Sequence, residues 1–229
     1  FFYTMSRFHN PLGTTLSGKE REAVAKLAGK YDVYVVEDDY MADLGEVKGF
    51  EPIFAHDRTS HVIYLKSFSK IIFPGLRLGA AVLPEPLIDT FRHYSRFAET
   101  SVLSQAVLDV YIKNGMYARH RRGMYKQYAA RNQRLHEALR KQDPEHWIEA
   151  PSASSGLYTH FRLPRTVNLE RLVRRLAERK VAVTSGKPYY LSDCRERDKF
   201  LRISVSRADP NRIEEGIRAI VEEIGHCGR

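Results

Sequence analysis

Lys70 closes the stretch SFSK, with serines at 67 and 69 ahead of it, the apolar run IIFPGL behind it and Arg77 seven positions on. A lysine at the end of an apolar strand and before apolar residues is expected in relatively dry surroundings. There it gives up its proton more readily and attacks a carbonyl to form a Schiff base. The hydroxyls of Ser67 and Ser69 and the rigid donor fork of Arg77 suit a phosphate. Together the four residues suit a phosphorylated aldehyde. Asp38 and Tyr40, in EDDY, follow another apolar run and add a carboxylate and a phenol to the same inventory.

Positioning these groups requires a sheet. Ser17 and Glu20 have the spacing of a capping box, and Val24, Leu27, Ala28 and Tyr31 continue from it as the apolar stripe of a helix. The runs VYVVEDDY, HVIYLKSFSK and LGAAVLP are continuous rather than alternating, which predicts strands buried on both faces of a mostly parallel sheet. In such sheets ligands gather beyond the carboxyl ends of strands, where Asp38, Tyr40 and Lys70 fall. From about Phe91 to Lys141 the chain reads as helical, weakest at Gly115 and Gly123. Then GLYTHFRLP and FLRISVSRA read as strands, NLERLVRRLAERK as a helix on Leu169, Leu172, Val173 and Leu176, and DPNRIEEGIRAIVEEIG as a closing helix. That closing helix is expected to be capped by Asp209, to carry Pro210 in its first turn and to end at Gly225. A smaller α+β domain is therefore expected after the long helices.

The 229 residues are 43% hydrophobic, enough for a sizeable core. No segment approaches the roughly 20 apolar residues of a membrane helix, and the N-terminus lacks the pattern of a signal peptide, so a cytoplasmic protein is expected. Cys194 and Cys227 have no metal-ligand spacing; free thiols and no metal site are expected. Much of the net charge of +9 lies in ARHRRGMYKQYAARNQRLHEALRK, where Tyr117, Met124, Tyr128, Leu135 and Leu139 mark one helical face. The arginines on the other faces read as a solvated surface, with a DNA-facing surface as the alternative. A basic nucleic-acid-binding module in its own right rests on charge alone.

NPLG, EDDY, SFSK followed by PGLRLG, and FLRISVS occur in the order and approximate spacing of fold-type I pyridoxal-phosphate aminotransferases of class I/II. The pairing of EDDY with SFSKxxxPGLRLG most resembles the aminotransferase-like domain of the MocR subgroup of GntR transcription regulators. The resemblance implies an α/β fold: a partial large domain, mostly parallel with helices on both faces (1–100), connecting helices (101–145) and a small C-terminal α+β domain (146–229). It implies pyridoxal 5'-phosphate as cofactor, with Lys70 bonded to its aldehyde, Asp38 paired with its ring nitrogen, and Asn10 and Tyr40 at its phenolic oxygen. Ser67, Ser69 and Arg77 match phosphate contacts, and a cis bond often precedes the proline matched by Pro11. Arg202 matches the arginine that binds a substrate carboxylate; strand alternation places it opposite Leu201, Ile203 and Val205, with Ser204 and Ser206.

Relatives carry, upstream of the first strand here, a glycine-rich phosphate turn, a ring-stacking aromatic and, in MocR proteins, a winged-helix DNA-binding domain. The resemblance thus implies an amino acid or amine ligand, a homodimer for the complete protein, DNA contact only through that upstream domain, and no membrane partner. The alternative is a metabolic aminotransferase moving an amino group between an amino acid and a 2-oxo acid. Tyr189 and Tyr190 either line the site or pack.

Overall fold

In the computed structural model of the protein, residues 1–44, 50–96, 100–151, 156–194 and 199–227 are described. They fall into two compact units, Phe1–Arg7 with Thr15–Tyr125, and Phe8–Thr14 with Lys126–Arg229.

The first unit is built on a four-stranded sheet in chain order, β1 (Phe2–Thr4), β2 (Val35–Asp38), β3 (Val62–Ser67) and β4 (Gly79–Val82). The first three strands are parallel and β4 is antiparallel to β3. Helix α1 (Gly18–Lys30) joins β1 to β2 and begins at the expected capping box, with the Ser17 hydroxyl accepting from the Glu20 amide and the Ser17 amide donating to the Glu20 carboxylate at 2.7 Å. Its Ala25 and Ala28 pack with Val35, Val62 and Ile53, the last from the short helix α2 (Ile53–His56). Small side chains let the helix lie close to the strands.

Burial on both faces, expected for all these strands, is met in full by none of them: β2 alternates buried and half-buried residues, β3 is fully buried only at Val62, and β4 departs furthest. Gly79, Ala80, Ala81 and Val82 are exposed at every position. The three small residues bring little apolar area, and the helices that follow, α3 (Ile88–Tyr94) and α4 (Val102–Lys113), bury none of their own residues. Val102, Leu103, Val107, Val110 and Ile112 of α4 all face solvent. Gly115, at φ +68°, separates α4 from α5 (Met116–Gln142) in a conformation that favours glycine, whereas Gly123 stays within the helix.

In the second unit β5 (Tyr158–Arg162), β7 (Phe200–Ser204) and the two-residue β6 (Thr184–Ser185) form an antiparallel sheet with β7 at its centre. The later turns of α5, helix α6 (Leu169–Glu178) and helix α7 (Ile213–Cys227) close a continuous core with it. Asn168 caps α6, its side-chain oxygen accepting from the Arg171 amide at 3.0 Å, and Leu169, Leu172 and Leu176 are buried at helical spacing. Asn132 sits buried on α5 because its amide donates to the carbonyls of Tyr128 and Gly156.

The closing helix departs from expectation at both ends. Asp209 forms a turn rather than a cap, accepting from the Asn211 amide at 2.9 Å while its carbonyl accepts from Arg212, so α7 starts at Ile213. Gly225 continues the helix; a Cβ there would stand 3.2 Å from the Trp147 ring, so the glycine makes room for packing and does not terminate the helix. β6 carried no signal, being two residues long.

Candidate functional site

Strand β2 and the two residues that follow it sort three consecutive acids by alternating burial. Val35, Glu37 and Asp39 are buried, while Val36, Asp38 and Tyr40 are only half-buried. Glu37 accepts from the Ser6 hydroxyl and from the Ile53 and Phe54 amides, both at 2.9 Å, so it anchors the first turn of α2. Asp39 receives the Arg7 guanidinium through two donors and the Tyr64 hydroxyl at 2.7 Å. Burial, reinforced by Asp39, pushes the Tyr64 phenol far above its ordinary value. Asp38 is left on the other face. Its Oδ2 accepts from the Tyr3 hydroxyl, and its Oδ1 has no protein partner among the described residues. The Tyr3 phenol is pushed up to about 12, by burial first and Asp38 second.

Asp38 ends β2, Ser67 ends the neighbouring parallel strand β3, and Gly79 begins β4 directly opposite Ser67. The topology therefore gathers Asp38, the segment Ser67–Lys70 and Arg77 at one edge of the sheet, where ligands of such sheets bind. The Ser67 hydroxyl accepts from the Ser69 amide at 3.2 Å, which shapes the turn leading to Lys70. The Lys70 ammonium has no protein partner among the described residues. Within this unit its side chain is exposed, a correction to the dry setting expected from IIFPGL: Ile71 and Leu76 turn into the core, and Phe73 is itself 52% exposed. Arg77 follows the turn Pro74–Leu76 in the left-handed region, φ +53°, with one contact to the Pro74 carbonyl at 3.3 Å.

Residues to which no motif pointed hold this edge. His120 of α5 places its Nε2 2.7 Å from the Ile71 carbonyl, which can only accept, so that nitrogen carries a proton. Asp43 is buried between the Lys66 ammonium, at 2.8 Å, and the Tyr117 hydroxyl. Burial and then Asp43 drive the Tyr117 phenol well above its usual range.

The remaining two candidates, Asn10 and Arg202, meet in the second unit. The loop carrying Asn10 has the expected cis Asn10-Pro11 bond and a left-handed Gly13, at φ +71°, where a Cβ would come within 2.1 Å of the Tyr158 carbonyl. His160 holds the loop through its Nδ1, 2.8 Å from the Leu12 carbonyl. His160 pairs across the sheet with Arg202, whose strand alternates as expected: Leu201, Ile203 and Val205 are buried. The Arg202 Nε donates to the Asn10 Oδ1 at 3.0 Å, and its guanidinium lies 3.8 Å from the Tyr158 ring centroid. Both Arg202 Nη groups and the Asn10 Nδ2 keep their donors free of protein partners among the described residues. Tyr190 packs edge-on against Phe200, whereas Tyr189 is 40% exposed with Arg202 5.8 Å from its ring. Tyr158, like Tyr3, escaped sequence reading; each could have been sought by asking which aromatic shares a strand face with a candidate ion.

The profile of aminotransferase class I and II matches residues 5–220. An uncharacterized HTH-type transcriptional regulator, YcxD of Bacillus subtilis, is 42% identical over 98% of this chain and 51% of its own length. The probable rhizopine catabolism regulatory protein MocR of Rhizobium meliloti is 28% identical over 92% of this chain and 43% of its own. Among solved structures, the α-aminoadipate aminotransferase LysN of Thermus thermophilus, complexed with N-(5'-phosphopyridoxyl)-L-leucine, superposes with a TM-score of 0.86. It is 27% identical and is covered over 59% of its length by 99% of this chain. The chain spans about half the length of the relatives it matches. No described helix is long and apolar enough to cross a membrane.

Proposed function

Because the chain belongs to the aminotransferase class I and II family, we propose that it is a pyridoxal-phosphate-binding domain that senses an amino acid or amine within a MocR/GntR-type transcription regulator. The observation that carries the reading is a set of uncommitted groups at one sheet edge: the Lys70 amine, one oxygen of Asp38 and most of the Arg77 fork. These are the nucleophile, anion and phosphate-binding cation that pyridoxal phosphate requires, so the residues fit the group. The 42% identity to an HTH-type regulator supports the regulatory half.

On this reading Lys70 would hold the cofactor covalently through its aldehyde carbon, the carbonyl oxygen leaving as water, and would carry protons at that centre. Asp38 would keep the ring nitrogen protonated, Tyr40 and the Asn10 amide would donate to the phenolic oxygen, and Ser67, Ser69 and Arg77 would hold the phosphate. Bound pyridoxal phosphate supplies an electron-withdrawing ring that stabilises negative charge on the carbon next to an amino group. Arg202, its Nε fixed by Asn10, presents two Nη donors to a ligand carboxylate as a bidentate fork. A cytoplasmic homodimer, with DNA bound through an upstream domain, completes the proposal. A metabolic aminotransferase is the second reading, favoured by the likeness to an α-aminoadipate aminotransferase.

The test uses the full-length protein with pyridoxal phosphate. Borohydride should fix the label on Lys70, and Lys70→Ala should abolish it; a label on another lysine would overturn the assignment. Amino acids that alter DNA binding without turnover support the regulator, and steady transamination supports the enzyme.

A further inference from the structure

Among the three consecutive acids at the end of β2, Glu37 and Asp39 have their oxygens engaged by Ser6, Ile53, Phe54, Arg7 and Tyr64. Asp38 alone meets a single donor, the Tyr3 hydroxyl. The register explains the meeting. Tyr3 pairs with Val36 on the neighbouring parallel strand, and side chains two residues apart share a face, so Tyr3, Val36 and Asp38 lie together on one side of the sheet. From there the long tyrosine side chain reaches Oδ2. Tyr3 is 49% exposed as a residue, so packing holds only part of it and its hydroxyl bond fixes the rest.

We propose that Tyr3 is a positioning residue for Asp38, occupying one carboxylate oxygen so that the other is kept for the cofactor's ring nitrogen, and moderating how tightly that carboxylate holds the ring proton. The inference rests on the reading above, in which Asp38 pairs with that nitrogen. A hydrogen bond from Tyr3 draws on the negative charge of the carboxylate and weakens its pull on a second donor. Removing the Tyr3 hydroxyl therefore leaves Asp38 a stronger partner for the protonated ring, and the ring nitrogen should lose its proton at higher pH. Loss of mere structural support has the opposite sign, because a carboxylate that swings away releases the ring proton at lower pH.

The experiment is nitrogen NMR of ring-labelled pyridoxal phosphate bound to the full-length protein, titrated with pH in the wild type, Tyr3→Phe, Asp38→Asn and the double variant. Tyr3→Phe keeps the ring and removes only the hydroxyl. The expected result is an upward shift of its titration on the order of one pH unit, the size of one charge-assisted hydrogen bond partly screened by solvent. In the Asp38→Asn background the same substitution should move nothing. No shift, a downward shift, or an upward shift that survives in the Asp38→Asn background overturns the role of Tyr3. An Asp38→Asn variant that titrates like wild type overturns the pairing of Asp38 with the ring, and this inference with it.

Discussion

The two units are held together differently. In the second, all three helices and the central strand feed one apolar core, from Leu135 on α5 through Leu172 and Leu176 on α6 to Ile224 on α7. In the first, α4 and β4 bury nothing, and the interior around the candidate edge is polar: Arg7 with Asp39, Glu37 with backbone amides, Asp43 with Lys66 and Tyr117. Buried ion pairs of this kind add little net stability over an apolar replacement of the whole pair, but they fix geometry, and losing one partner is costly. The contrast teaches that the first unit trades robustness for the orientation of strand ends.

Three substitutions would sharpen or break that contrast. The largest effect is expected from Arg7→Leu, which strands the fully buried Asp39 without its cation. It should destabilise the first unit by about 3–5 kcal/mol in chemical denaturation followed by circular dichroism. A cost under 1 kcal/mol would mean the network is decorative. Next, Leu172→Ala, at a side chain with no exposure, should cost about 2–5 kcal/mol. Trp147, the single tryptophan, stands against Gly225 in the second unit, so its fluorescence reports this loss locally. A weak response there would argue that the second core is loosely packed. The smallest effect is expected from Val107→Ser on the exposed face of α4, within about 0.5 kcal/mol by the same denaturation. A large loss would show that α4 contributes apolar packing, and the contrast would fail.

Sequence reading recovered most elements whose signal is local, though the stripe expected for α1 fails at Leu27 and Tyr31, which are 50% and 63% exposed. The capping box at Ser17, the stripe of α6 and the alternation around Arg202 rest on periods of 3.6 and 2, and all three are present. Motif order gave the family and the candidate residues. Reading failed where meaning depended on a neighbour distant in sequence. Gly225 looked like a helix stop because nothing local reveals that Trp147 needs the space. Lys70 looked dry because a run of apolar letters does not tell which way Ile71 and Leu76 turn. Motif order singled out Asp38, but nothing local showed that Arg7 and Tyr64 would claim its neighbour Asp39 while Tyr3 alone met Asp38.

The alternating burial of β2, continued through Asp39 and Tyr40, makes the acidic triplet a parity code. Odd positions, Val35, Glu37 and Asp39, serve the interior, and even positions, Asp38 and Tyr40, serve the edge where chemistry is proposed. A conservative exchange of Asp for Glu leaves the parity untouched, but an insertion or deletion of one residue upstream in the strand inverts it. An interior acid would then turn outward and Asp38 would be thrust against Arg7 or the amides of α2. The segment should therefore tolerate changes of residue type far better than changes of length, and removing one, two or three residues ahead of Glu37 should alternate between severe and milder loss rather than worsen steadily.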